Sequence, residues 1–206
     1  MNRTRTTNLR YRGFYGWIIV MVALVSMAFW IGIRTSFSVF YVALLEEFSW
    51  SRGDSAGAQS LALITYTVLA PLVGWLIDRF GPRRVIVPGI LVLVIGLVMC
   101  ATIKTLTQFY IFYGVFMGSG ITCIGIISYS AILAHWFQKK RGLASGIAVS
   151  GMGLGTFLFV PVSQFFIDTV GWRTTFMITA GLVLFIVLPL NGSFLKHKPE
   201  EIAYST

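Results

Sequence analysis

The sequence predicts an all-α membrane protein whose six transmembrane helices form two inverted triplets. Composition is the first reason: 56% of the 206 residues are hydrophobic and 11% are charged, with mean hydropathy +0.81. Soluble domains carry about 25% charge, so one aqueous fold could not hide this much apolar surface. The second reason is six long apolar runs, each near the ~20 residues that cross a bilayer core. The third is a repeat at a shift of 90 residues, which pairs PLVGWLIDRFGPR at 71–83 with PVSQFFIDTVGWR at 161–173.

The runs cover roughly 15–45, 55–77, 84–103, 107–134, 143–167 and 174–195. Alternating strand patterns are absent, and backbone groups in lipid must be satisfied internally, so the runs read as helices. Residues 1–13 read as a polar arm, 14–195 as the bundle, and 196–206 as the start of a further loop, with the chain truncated there. The basic start resembles a signal peptide, but the apolar run is too long and no cleavage site closes it. The net charge of +9 sits in clusters between runs, which argues for topology and against the continuous basic face of a nucleic-acid binder. With a cytoplasmic amino terminus, inside segments hold twelve Lys and Arg and outside segments three, and Arg34 falls within the first run. The positive-inside rule then places both termini in the cytoplasm.

The repeat matches Pro71 with Pro161, Ile77 with Ile167, Asp78 with Asp168, Gly81 with Gly171 and Arg83 with Arg173. A shift of three helices puts the two bends on opposite sides of the membrane. Such inverted triplets are common in secondary transporters, whose substrate sites lie near mid-membrane.

In the first run Met27, Trp30, Arg34, Phe37 and Tyr41 recur at spacings of three and four, so they share one helix face. For a helix over roughly 17–45, with its midpoint near 31, Arg34 lies three residues past the midpoint, about 4.5 Å toward the outside. An intramembrane arginine costs about 2.5–3.5 kcal/mol on insertion scales and marks a functional site by default. Its fork suits a carboxylate. The expected substrate face is therefore Arg34 with Trp30, Phe37 and Tyr41. The competing reading has Arg34 snorkelling or bonded to backbone carbonyls, with the aromatics as packing. Of the polar residues in other spans (Gln59, Ser60, Thr122, Ser128 and Gln164 among them), Tyr66 and Tyr129 rank highest by face and depth.

The bend after the second run reads GWLIDRFGPRR at 74–84. Gly81 permits a tight turn, Pro82 ends a continuing helix, and Gly74 admits a close neighbour. Asp78 can meet an arginine or a helix dipole, while Arg79, Arg83 and Arg84 hold the cytoplasmic surface. The stretch resembles the signature of the major facilitator superfamily between its second and third helices. YGWIIV at 15–20, SFSVFYVALLEEFSWSR at 36–52, HWFQKKRGLASG at 135–146 and GWR at 171–173 resemble bacterial carriers related to the monocarboxylate and oxalate–formate groups. The resemblance implies half of a twelve-helix fold, so the partners would be a missing carboxy-terminal six-helix half or a second copy. It implies a gate made by Gly74, Asp78, Arg79, Gly81 and Arg83, with Asp168 and Arg173 as their repeat counterparts. It also exposes a departure: where many proton-coupled members carry an arginine four residues before a G-x-G, this chain has Gly114 before Gly118-x-Gly120.

Gly142 and Gly146, and Gly151 and Gly155, have the four-residue spacing that brings membrane helices together. Gly151-x-Gly153-x-Gly155 lacks the strand and lysine of a nucleotide loop. Cys100 and Cys123 lie in apolar runs and His135 and His197 at their edges. No catalytic set, metal spacing or cofactor signature emerges. The expected function is transport of small organic anions, monocarboxylates in particular, by alternating access in a bacterial inner membrane. The alternative is a non-transporting membrane module, either a truncated product or a regulatory partner of a carrier.

Overall fold

The computed structural model describes residues 3–137 and 140–195, with side chains from Tyr15 onward, His135 excepted. The expectations for Lys139, His135 and the segment from 196, including His197, lie outside the described residues. Among the described residues six helices are long and apolar enough to cross a membrane: Tyr15–Phe48, Arg52–Phe80, Pro82–Cys100, Leu106–Ala134, Arg141–Val170 and Trp172–Phe194, here called spans one to six. The helical backbone of span one already begins at Arg3.

The hairpins are tighter than the uncharged runs suggest. Spans two and three are separated by Gly81 alone, and spans five and six by Gly171 alone. The helices take Asp78, Arg79 and Asp168 into their last turns and end on Phe80 and Val170, so charge does not mark their ends. Gly81 (φ 86°, ψ 154°) and Gly171 (φ 82°, ψ 159°) share one conformation, a region open essentially to glycine alone. Each amide closes the preceding helix, onto Ile77 O at 2.9 Å and Ile167 O at 3.0 Å. Pro82, fixed at a helical φ and lacking an N–H, starts span three.

The two bends lie at opposite ends of the bundle. Arg83 is within electrostatic reach of Tyr15, whose hydroxyl donates to Phe194 O at 2.9 Å. Arg173 instead meets Glu47 and Ile103 O, at the far ends of spans one and three. This is the inverted arrangement of the triplets.

Spans one and four form the centre, with 61% and 56% of their most apolar stretches buried, against 11% and 22% for spans two and five. Span one packs along span five, and span four along span two. These seams are repeat-related, and in both a small residue lets backbones meet. A Cβ at Gly151 or Gly155 would collide with the carbonyl oxygens of Leu24 and Ala28. In the other seam the equivalents of Leu24 and Ala28 are Gly114 and Gly118, which face Leu61, Ala62 and Thr65. The glycines have changed sides while the approach is kept. Among the described residues Gly142 and Gly146 have nothing within 4 Å of a Cβ, so their spacing serves no contact there.

Two apolar clefts obey the same shift. One of about 490 Å³ lies against Leu69, Leu72, Leu76 and Val92, the other of about 260 Å³ against their counterparts Phe159, Val162, Phe166 and Leu182.

Both central spans are interrupted. In span one the hydroxyls of Thr35 and Ser36 return to the carbonyls of Ile31 and Gly32, a back-bonding that bends helices. In span four Ile124 and Gly125 leave the helix, and Ser128 Oγ donates to the freed Cys123 O at 2.6 Å. The breaks coincide within two residues under the repeat.

A buried polar network ties spans one, four and six together. Tyr129 donates to Asn191 Oδ1 at 2.7 Å, and Asn191 Nδ2 donates to Ser26 Oγ at 2.9 Å and Val187 O at 2.8 Å. Tyr129, Asn191 and Ser26 are all fully buried. Replacing Asn191 with Leu is expected to destabilise the fold by about 1–2 kcal/mol, because the Tyr129 hydroxyl loses the amide oxygen that accepts its proton and the network loses its centre. Thermal unfolding in detergent should show a lowered midpoint that Tyr129→Phe in the Leu background partly restores.

Candidate functional site

Arg34 sits at the break in span one, half-buried, between two aromatic rings. Its guanidinium carbon is 5.9 Å from the ring centres of both Trp30 and Tyr66, close enough for cation–π attraction. Among the described residues it has no hydrogen-bond or ion-pair partner. It opens on a small cavity of about 20 Å³, room for one water, lined also by Gln59, Ala62, Leu63, Tyr66, Tyr113, Gly118 and Ile121. Tyr113 is buried and donates to Gln59 Oε1 at 2.7 Å. Trp30 is 4% exposed, and its indole N–H, against Gly125 at the break in span four, has no partner among the described residues.

The expected substrate face is thus assembled in part. Arg34, Trp30 and Tyr66 come together. Phe37 lies next along the face, its ring 4.8 Å from that of Tyr113. Tyr41 does not join them: its hydroxyl donates to Arg52 O at 2.9 Å and holds the loop before span two. Tyr129 does not join them either, because its hydroxyl is consumed by Asn191 inside the bundle. Sequence ranking missed Gln59 and Tyr113. A periodicity of polar residues along span two, which places Gln59 and Tyr66 two turns apart, was the available signal for the first.

The charged bend differs from expectation in two contacts. Of the two partners open to Asp78, an arginine or a helix dipole, the ion pair is not formed among the described residues, and the carboxylate is exposed. Arg79 turns instead to Trp75 and Phe80, at 5.1 and 5.4 Å from their ring centres. The close helix approach expected at Gly74 is not made by this chain, which has nothing within 4 Å of its Cβ position. Gly81 makes the turn, and Arg83 is exposed beside it.

The opposite bend is more closely tied. Asp168 accepts from Gln164 Nε2 at 2.8 Å. Arg173 pairs with Glu47 at 2.6 Å, Trp172 Nε1 donates to the same carboxylate, and the Arg173 guanidinium lies 4.2 Å from the Trp172 ring centre. Glu47 was not singled out from sequence, since nothing in a spacing of 126 residues announces a pair. Both partners are more than a third exposed, so this pair registers the ends of spans one and six more than it stabilises them.

Residues 15–205 match the Major Facilitator Superfamily. Monocarboxylate transporter 13 of Bos taurus is 28% identical over 175 residues, covering 85% of this chain and 41% of that protein. Monocarboxylate transporter 11 of Mus musculus is 30% identical over 172 residues, 84% of this chain and 38% of that one. The chain therefore spans about two-fifths of the length of these relatives. Among solved structures, the proton:xylose symporter XylE bound to 6-bromo-6-deoxy-D-glucose matches with a TM-score of 0.76 at 18% identity, over 95% of this chain and 48% of that one. FucP in the outward conformation matches with a TM-score of 0.70 at 18% identity, over 86% and 42%. At such identities the structures speak to fold alone. Six apolar helices in inverted triplets, a family match over nearly the whole sequence and a backbone shared with known members agree: this multi-pass membrane protein belongs to the Major Facilitator Superfamily.

Proposed function

We propose that the chain forms the anion-binding half of a secondary carrier for small organic anions, monocarboxylates in particular, working by alternating access. One observation carries the reading: Arg34, held between Trp30 and Tyr66 at the break of a central span, has no acid to neutralise it among the described residues. A positive charge left unpaired in a membrane is costly, and a transient carboxylate would relieve it bidentately. The relatives named monocarboxylate transporters support the choice of anion.

The small cavity is a wall rather than an enclosure, so a second six-helix half or a second copy of the chain would complete it. Spans two and five are the least buried, and they would face that partner, with Gly74 and its open surroundings admitting a partner helix. Asp78, Arg79, Gly81 and Arg83 at one end, and Asp168 and Arg173 at the other, would steady the closed states by contacts across the two halves. The twelve-to-three distribution of basic residues supports cytoplasmic termini, and the membrane proposed is a bacterial inner membrane. Proteoliposomes containing the assembled carrier, the chain together with a second six-helix half or a second copy, and loaded with lactate are expected to take up labelled pyruvate in saturable exchange. Absence of exchange, from protein shown to be folded, would instead support the regulatory-module reading.

A further inference from the structure

We propose that Gln59 is a second donor to the carried anion and that Tyr113 is the residue that positions it, so that the pair selects ligands with an acceptor atom beside the carboxylate. This rests on Arg34 as the carboxylate anchor. The argument begins with hydrogen-bond capacity. An amide side chain has one acceptor oxygen and an NH₂ with two donors. Tyr113, 2% exposed, donates its hydroxyl proton to Gln59 Oε1 at 2.7 Å. That bond occupies the oxygen, fixes which way the amide is turned, and leaves the NH₂ as the free end.

Nothing among the described residues accepts from Gln59 Nε2, and nothing pairs with Arg34. Both side chains line the same cavity, whose other walls are mainly apolar: Ala62, Leu63, Gly118 and Ile121. The cavity thus offers donors with no carboxylate or free amide oxygen to match them, its remaining side-chain polar groups being the Tyr66 and Tyr113 hydroxyls. A ligand that satisfied Arg34 alone would displace water from the Gln59 amide and return nothing to it. Sites built to hydrogen-bond a ligand discriminate strongly against analogues lacking the atom, because the donor is then stranded. Arg34 and Gln59 share one cavity of only about 20 Å³, so the acceptor that the amide requires is one close to the carboxylate. An oxo or hydroxyl oxygen on the carbon next to the carboxylate meets that requirement.

Pyruvate and propionate share length and charge and differ at that oxygen. Their dissociation constants would be measured by equilibrium binding to the assembled carrier, the chain with its second six-helix half or second copy, purified in detergent. The wild type is expected to prefer pyruvate. Gln59→Met, which keeps the volume, and Tyr113→Phe, which removes only the hydroxyl, should each lower that preference roughly tenfold while leaving propionate affinity within about twofold. A merely structural role would weaken both ligands together, and that result, or an unchanged ratio, overturns the proposal. If Gln59→Met fails to fold, Tyr113→Phe gives the same readout. Failure of the wild type to bind either acid removes the Arg34 reading itself, and this inference with it, whereas equal binding of both acids by the wild type removes this inference alone.

Discussion

Arg34→Gln is expected to weaken binding of a small carboxylate by at least a hundredfold without lowering thermal stability. Truncating one member of a desolvated charge pair costs about 2–5 kcal/mol of binding. The stability readout separates this role from packing. In the free protein the guanidinium has aromatic faces but no acid among the described residues, so removing its charge relieves a desolvation cost. Arg34→Lys keeps the charge and loses the fork, and a loss of about tenfold is expected. Equilibrium binding and thermal unfolding of the same preparations would check all three statements. A lowered unfolding midpoint with unchanged affinity would make Arg34 a structural residue.

The second large effect concerns the seam between spans one and five. Gly155→Ala is expected to destabilise the protein by about 2–3 kcal/mol, and Gly155→Leu to prevent recovery of folded protein. A methyl at Gly155 would overlap the Ala28 carbonyl, and a backbone carbonyl cannot rotate aside as a side-chain tip can. Gly142→Ala is the control, because the space around it is open and alanine is the better helix former by about 1 kcal/mol. Its unfolding midpoint should stay level or rise. Equal losses from both substitutions would place the effect in the bilayer and not in the seam.

The architecture was legible because it depends on quantities that add along the chain. Hydropathy summed over each run locates the six spans, and the Gly81 and Gly171 turns follow from two residues that alone tolerate a positive φ of this kind. Arg34 was legible from depth, since one charge in a long apolar run has few uses. Contacts across the bundle were not. Tyr66 and Tyr129 look alike as tyrosines within spans, yet one faces the cavity beside Arg34 and the other is spent on Asn191, 62 residues away. The Glu47–Arg173 pair and the Tyr113–Gln59 bond join residues 126 and 54 positions apart, distances over which no local period operates. The helix breaks at Ser36 and Ile124–Gly125 escaped for another reason: hydroxyl and glycine effects on a backbone leave the apolar pattern untouched.

The exchange of glycines between the two seams bears on how the triplets are to be compared. Leu24 with Gly151 corresponds to Gly114 with Leu61, a large and a small residue in each case, with the order reversed. Selection acting on such a joint would hold constant the combined bulk of two facing positions and leave each position free to vary. Scoring one triplet against the other residue by residue then counts both as mismatches, although together they preserve the same interhelical spacing. Kinship between the halves of a duplicated bundle would be better measured on facing pairs.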